Sequence, residues 1–188
     1  MNLLKGSAIA LILRILSALI SFVVAASITR NLGTEQAGLY FYATSLIILF
    51  VSVCGLGLNN TILKYVSIFH TQQNNEMLNA VVNKSVLWST LFSLTFIVLI
   101  AVYLMFFPHS LGENKVYFYF FLFTVPSLTV IALISHAIQA KGSIAMSMVT
   151  AGLIQPVSFL FINLLVEPKE ITTLAQCYLI SVTIALFA

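Results

Sequence analysis

The chain has 188 residues, of which 61% are hydrophobic and only 7% are charged, and its formal net charge is +3. Soluble domains carry about 25% charged residues, so this sequence lacks the polar surface that a water-soluble protein needs. Its positive charges are scattered along the chain, which excludes the basic cluster typical of nucleic-acid binding.

Apolar runs long enough to span a bilayer, about 20 residues each, recur along the whole chain. We predict six membrane-spanning helices, at residues 6–28, 39–58, 85–107, 116–140, 143–166 and 172–188. Polar breaks separate them at residues 29–38, 64–84, 108–115 and 167–170. Runs of this length exclude barrel strands, which have about 10 residues of alternating polarity. The predicted fold class is therefore an all-α integral membrane protein with a six-helix bundle, and Pro126 and Pro156 predict kinks in the fourth and fifth spans.

The first span has an alternative interpretation as a cleaved signal peptide, because Lys5 precedes an apolar stretch that ends at VVAAS. That stretch is longer than a typical signal core and contains Arg14, so a membrane-spanning helix is favoured. Lys5, Lys64, Lys84 and Lys141 fall on one side of the predicted topology, against three cations on the other side. Because cytoplasmic loops are enriched in lysine and arginine, the N-terminus is predicted to be cytoplasmic.

Arg14 is the one charged residue inside the first predicted span. At about 100° per residue, small and hydroxyl side chains share its face of the helix. These are Ser7, Ala10, Ser17, Ala18, Ser21, Ala25 and Thr29. Bulky aliphatic side chains such as Ile12 and Leu19 occupy the far face, although Leu11 and Ile28 break the pattern.

A charge at hydrocarbon depth costs from roughly 3 to over 10 kcal/mol, so Arg14 needs a compensating environment. Two interpretations stay open. A water-filled cavity between helices would let Arg14 bind an anion, whereas its long side chain would alternatively extend toward the membrane surface. The sequence has no aspartate, and its glutamates lie in or beside the polar breaks, so no ion-pair partner within the membrane is evident.

The other polar residues have plainer interpretations. Arg30 lies at the outer end of the first span, where interfacial anchoring is expected, and Lys64 and Lys84 flank the longest polar break as determinants of topology. His136 and Gln139 share one face of the fourth span, which favours an interhelical hydrogen bond over a proton relay. Five amides are candidates for interhelical contacts or cavity lining, namely Asn59, Asn60, Gln155, Asn163 and Gln176.

The sequence gives no sign of a metal or catalytic centre. Cys54 and Cys177 lie in apolar runs without the spacing of metal ligands, so we interpret them as packing residues. No histidine and carboxylate are placed to activate a serine, and no Walker A motif occurs. We therefore expect neither an enzyme nor a bound cofactor or metal.

Short motifs between Gly6 and Tyr65 resemble a known family. They comprise Gly6, Arg14, RNLG at residues 30–33, GLY at residues 38–40, and GLG at residues 55–57 ahead of Lys64 and Tyr65. This pattern resembles the bacterial polysaccharide-biosynthesis or O-antigen-type flippases, which belong to the multidrug/oligosaccharidyl-lipid/polysaccharide exporter superfamily. The later spans match this family in spacing and hydropathy.

The resemblance implies two similar lobes of helices around a central cavity. This chain would be the N-terminal lobe, and its last apolar run, which ends at Ala188, agrees with the expectation that the C-terminal lobe is absent from it. The implied activity is alternating access that moves an undecaprenyl-pyrophosphate-linked oligosaccharide across the bacterial cytoplasmic (inner) membrane. The implied partners are this lipid-linked oligosaccharide, membrane lipids, the second lobe, and the glycosyltransferases and polymerase that make lipopolysaccharide or capsule.

The resemblance also implies roles for particular residues. The implied cavity cations are Arg14, Arg30, Lys64 and Lys84, and the stripe that lines the cavity or packs against helices contains Ser17, Ser21 and Ala25. Arg14 is the leading candidate for holding the pyrophosphate, and Lys64 and Lys84 would guide the anionic head group at the cytoplasmic mouth.

Two other functions stay open. A cation-coupled multidrug exporter of the same superfamily would use carboxylates within the membrane, whereas the charge inside the first span is positive. A non-transporting membrane scaffold would tolerate leucine in place of Arg14 and would pack its small-residue stripe completely against other helices.

Overall fold

The computed structural model describes residues 3–106 and 116–188, and within them every regular element is an α-helix. The helices are α1 (Leu3–Cys54), α2 (Leu58–Thr71), α3 (Asn75–Phe106), α4 (Val116–Ala140), α5 (Ile144–Gly152), α6 (Ile154–Val166) and α7 (Ile171–Phe187). The predicted all-α membrane fold class is confirmed. The polar break predicted at residues 108–115 lies outside the described residues.

Helix α1 holds the first two predicted spans, which Gly33 divides. The backbone of Gly33 has φ 80° and ψ 172°, a conformation essentially confined to glycine. Side chains from both halves of α1, including Ser21 and Thr44, line one cavity, so the two halves lie side by side. The polar segment at residues 29–38 is helical on both sides of Gly33. Hydropathy falls where the chain leaves the membrane, but the flanking residues still form helix.

The polar segment at residues 64–84 is also mostly helical. Helix α2 buries Ile62 and Val66 against Leu78 of α3 and against Leu133 and Ala137 of α4. The link between α2 and α3 is short, since α2 ends at Thr71 and α3 begins at Asn75. The side chain of Asn74 accepts a hydrogen bond of 3.1 Å from the backbone N–H of Met77 and so caps the start of α3.

Helix α4 lies at the centre of the bundle and packs against α1, α2, α3, α5 and α7. It runs from Val116 to Ala140 and continues through Pro126 as one helix. Its buried residues Phe121 and Val125 belong to the main hydrophobic core, together with Tyr40, Phe159 and Tyr178 from the surrounding helices. This aromatic core positions the cavity described below.

The fifth span is interrupted, as Pro156 predicts. Helix α5 ends at Gly152 and α6 begins at Ile154. Pro156 has no N–H for the carbonyl four residues earlier, which is that of Gly152. The hydroxyl of Ser17 donates a hydrogen bond of 2.6 Å to this carbonyl from α1. The stripe residue Ser17 therefore replaces the backbone donor that proline removes, an arrangement typical of membrane helices.

This compensation predicts a non-additive pair of mutations. Ser17→Ala should lower the free energy of unfolding by about 1–3 kcal/mol, because it leaves the Gly152 carbonyl without a donor in a partly buried setting. In a Pro156→Ala background the new N–H can bond that carbonyl, so Ser17→Ala should cost much less. The four unfolding free energies of this double-mutant cycle, measured by titration with sodium dodecyl sulfate in mixed micelles, check the coupling. Equal costs in both backgrounds would refute it.

Several helices are long and apolar enough to cross a membrane. These are residues Ala8–Cys54, Asn75–Phe106, Val116–Ala140 and Ile144–Val166, while the apolar helix Ile171–Phe187 is shorter. The first of these has 47 residues and is divided at Gly33, so it has the length for two crossings. The protein is accordingly a multi-pass membrane protein.

Candidate functional site

Arg14 lies in the first half of α1 with its side chain exposed. The face of α1 that packs on the bundle carries Val24, which is 6% exposed, and Ile28, which is fully buried, so Arg14 lies at the border of this face. The predicted far face is exposed, as at Ile12 (64%) and Leu19 (58%). Within residues 3–106 and 116–188 the guanidinium of Arg14 has neither a hydrogen bond nor an ion pair.

Some of the small residues on the same face as Arg14 pack against other helices, and others line a cavity. Ser17 bonds the Gly152 carbonyl, as described above. Ser21 and Ala25 line a cavity of about 230 Å³ between α1, α6 and α7. Ile28, which breaks the sequence pattern, is part of the hydrophobic core. One face of α1 thus changes along its length from an exposed cation to a cavity wall and then to packed core.

The cavity combines aromatic walls with hydrogen-bonding groups. Its lining residues are Ser21, Val24, Ala25, Tyr40, Phe41, Thr44, Ile48, Gln155, Pro156, Phe159 and Tyr178. The rings of Tyr40 and Phe159 are stacked with centroids 6.0 Å apart, and Tyr178 meets Phe159 edge-on at 5.3 Å. None of the lining residues carries a charge, and Arg14 is not among them.

The four predicted cavity cations do not form one cluster. Arg30 is exposed near Gly33, at the opposite end of the α1 half-helix from its N-terminus and roughly 24 Å from Arg14 along the axis. Lys64 is exposed on α2 with its Nζ 5.8 Å from the ring centroid of Tyr65, and Lys84 is exposed on α3. Of the four, only Arg14 shares a helical face with the cavity-lining residues Ser21 and Ala25, and it lies outside the lining itself.

The polar residues predicted to make contacts between helices differ in the contacts that they make. Asn163 of α6 is fully buried and donates a hydrogen bond of 2.9 Å from Nδ2 to the hydroxyl of Ser27, so it makes an interhelical contact. The Nδ1 atom of His136 lies 2.7 Å from the carbonyl oxygen of Ala132 in its own helix, so the interhelical hydrogen bond expected of His136 was wrong. The Oδ1 atoms of Asn59 and Asn163 are buried and have no hydrogen-bond partner in the described part of the chain, whereas Asn60 and Gln176 are exposed.

Gln36 has a role that the sequence did not indicate. Its side-chain Oε1 accepts a hydrogen bond of 3.0 Å from the backbone N–H of Ile171, the first residue of α7. The N-terminal N–H groups of a helix lack partners within the helix, so Gln36 caps α7 from another helix. Because the two residues are 135 positions apart, no local pattern could reveal the pair.

The described residues offer few ligands for metal ions. Within residues 3–106 and 116–188, no three histidine, cysteine, aspartate or glutamate side chains lie close enough together to hold a metal. The chemistry that the described side chains provide is therefore anion binding by a guanidinium, hydrogen bonding by neutral groups, and stacking on aromatic rings.

These helices and their apolar surfaces define the chain as a multi-pass, all-α membrane protein. A family model described as polysaccharide biosynthesis protein matches residues 3–188, and the chain belongs to this family. The resemblance based on the motifs between Gly6 and Tyr65 is thereby confirmed, and the match extends over the later helices. No curated protein and no solved structure matches the chain significantly.

Proposed function

We propose that this chain is the N-terminal lobe of a flippase that moves an undecaprenyl-pyrophosphate-linked oligosaccharide across the bacterial cytoplasmic membrane. Membership of the polysaccharide biosynthesis protein family supports this function. The observation that carries it is the exposed guanidinium of Arg14 in an apolar helix, which has no partner among the described residues. An unpaired charge at that depth is costly unless water or an anion meets it.

The chemistry of the proposed substrate matches this cation. A pyrophosphate group cannot enter hydrocarbon alone, because losing its hydration without new hydrogen bonds is too unfavourable. A guanidinium presents paired N–H donors that suit phosphate oxygens and stays charged at any physiological pH. Arg14 would therefore replace part of the hydration shell while the lipid tail stays in the bilayer. A second lobe, implied by the family resemblance, would close the other side of the path.

The distribution of charges supports a cytoplasmic N-terminus. The α2–α3 hairpin packs against the C-terminal part of α4, which places Lys64, Lys84 and Lys141 toward one end of the bundle. Arg30, Gln36, Lys169 and the start of α7 lie toward the other end, so the described cations number three at the first end and two at this one. Since lysine and arginine favour the cytoplasmic side, the end with the three lysines is assigned to it. Lys5 and Lys115 lie outside the residues whose side chains are described.

An exporter of cationic drugs is disfavoured by the same chemistry. Such a protein would need carboxylates along its path, but the lining residues of the cavity are uncharged and the nearest cation on the same helical face is Arg14. A scaffold with no transport path would pack the stripe completely, whereas Ser21 and Arg14 are exposed.

Deletion of the gene tests the proposal. Cells without the protein should still make the lipid-linked oligosaccharide but should lose surface polysaccharide, and a plasmid copy should restore it. In spheroplasts, periodate, which does not cross the membrane, should oxidise the oligosaccharide in complemented cells and leave it intact in deleted cells. Failure to make the lipid-linked precursor at all would instead indicate a role in its synthesis, and equal oxidation in both strains would exclude a role in translocation.

A further inference from the structure

The cavity between α1, α6 and α7 contains hydrogen-bonding groups that have no partner within the residues that the structure describes. The residues Tyr40 and Tyr178 are only 8% and 9% exposed, yet neither hydroxyl has a hydrogen-bond partner within the described residues. The exposed hydroxyl of Ser21 and the half-buried amide of Gln155 also line the cavity and have no hydrogen-bond partner within the described residues. The hydroxyl oxygens of Tyr40 and Tyr178 are not among the polar atoms sealed inside the protein, so with Ser21 and Gln155 they are accessible from the cavity and can bond an occupant.

The walls of the cavity narrow the chemistry of that occupant. No lining residue is charged, so the site does not select an anion or an inorganic cation. Aromatic rings form part of the wall, with Tyr40 stacked on Phe159 and Tyr178 edge-on to Phe159. Tyrosine, glutamine and serine together offer donors and acceptors, which suits a ligand whose hydroxyl groups both donate and accept. A sugar ring combines such hydroxyl groups with apolar C–H faces that pack on aromatic rings.

The size of the cavity suits a single ring. Its volume of about 230 Å³ lies below the roughly 300–1,000 Å³ typical of sites for drug-sized ligands. Ser21, Phe41 and Ile48 are exposed, so the cavity opens at the surface of α1 and is accessible from outside the bundle.

The position of the cavity relative to Arg14 links the two sites. Ser21 follows Arg14 by seven residues, which corresponds to roughly 10 Å along the helix and about 20° around it. The mouth of the cavity and the guanidinium therefore lie along one face of α1. An extended arginine side chain and a sugar joined to a pyrophosphate together span this distance.

We propose that this cavity is a subsite for one uncharged sugar of the lipid-linked oligosaccharide, close to its pyrophosphate. The proposal rests on the proposed function, since the same molecule places its pyrophosphate at Arg14. Gln155 and the hydroxyls of Tyr40, Tyr178 and Ser21 bind the hydroxyl groups of the sugar, and the aromatic rings pack against its apolar face. The subsite gives the lobe a means of distinguishing a glycosylated lipid from the bare lipid pyrophosphate.

The test compares two lipids on the protein expressed from its complete open reading frame and reconstituted in nanodiscs. The probes are undecaprenyl pyrophosphate and the lipid-linked oligosaccharide isolated from cells in which the gene is deleted. Gln155→Leu and Tyr178→Phe each remove hydrogen-bonding groups while preserving most of the cavity's shape. Each should weaken binding of the lipid-linked oligosaccharide about two- to tenfold, as expected for one or two lost hydrogen bonds, and should leave binding of undecaprenyl pyrophosphate unchanged.

The controls separate this proposal from the proposed function. Tyr42→Phe removes a tyrosine hydroxyl two residues from Tyr40, on the other side of α1 and outside the cavity, and should change neither affinity. Arg14→Ala should weaken binding of both lipids, so an Arg14→Ala variant with normal binding of both would overturn the proposed function.

If both cavity variants weaken binding of the two lipids equally, or weaken binding of neither lipid, the cavity does not bind sugar. Competition by tetraphenylphosphonium with no preference between the two lipids would show a cation site instead.

Discussion

Replacing Arg14 with alanine is expected to lower surface polysaccharide at least tenfold while the protein still inserts into the membrane. A hydrogen bond to a charged group contributes about 1.5–3 kcal/mol, which corresponds to roughly a ten- to hundredfold change in binding. Insertion should be unaffected, because alanine is more favourable than arginine at hydrocarbon depth. Surface polysaccharide measured by immunoblot, with protein abundance measured in the membrane fraction, checks both parts.

Two further variants test whether the effect is specific to the guanidinium of Arg14. Ile12 lies two residues away at nearly the same depth and is exposed on the far face of α1, so Ile12→Ala should retain normal surface polysaccharide. Arg14→Lys keeps the charge but loses the paired donors, so an intermediate level is expected. Wild-type polysaccharide in the Arg14→Ala strain would contradict an anion-binding role for this residue.

Gly33→Ala is expected to destabilise the hairpin of α1 by about 1–3 kcal/mol, the cost of holding a residue with a side chain in a sparsely populated backbone conformation. Gly33 has φ 80°, and a Cβ atom added there would meet no atom within 4 Å. The cost would therefore come from backbone conformation alone. The free energy of unfolding in mixed micelles with sodium dodecyl sulfate measures it.

Gly38 supplies a matched control for the strain at Gly33. It lies in the second half of α1, and a Cβ atom there would likewise meet nothing within 4 Å, but its φ is not positive. Gly38→Ala should consequently be neutral or stabilising by up to about 1 kcal/mol, since alanine favours helix over glycine. If the two substitutions had equal effects, the turn at Gly33 would not depend on its unusual backbone conformation.

Much of the fold was predictable because hydrophobic runs of membrane length leave few alternatives to helices. The long apolar run at residues 116–140 forms one helix, α4, and the helix break before Pro156 follows from the missing N–H of proline. The ends of the helices near polar segments were not predictable from hydropathy. Hydropathy indicates where the chain leaves the membrane, and a helix can continue beyond that point. Two local features do indicate these helices. Ile62 and Val66 are apolar residues four positions apart, as on one face of α2, and Asn74 is a capping residue at the start of α3.

The candidate site was also predictable only in part. Arg14 was evident, since a single charge in an apolar span is unusual whatever surrounds it. The cavity was not, because its hydrogen-bonding groups come from residues as distant as Ser21, Gln155 and Tyr178. Ser17 illustrates the limit of the helical pattern: its position in the stripe was apparent, but its partner, the Gly152 carbonyl, depends on a proline in another helix.

Water access at position 14 tests the central claim most directly. In a background with Cys54 and Cys177 replaced by alanine, Arg14→Cys and Ile12→Cys each place one thiol at nearly the same depth on opposite faces of α1. A membrane-impermeant maleimide should label the cysteine at position 14, more slowly when undecaprenyl pyrophosphate is present, and should leave the cysteine at position 12 unlabelled. No labelling at position 14, or equal labelling at both positions, would contradict a hydrated anion path beside this helix.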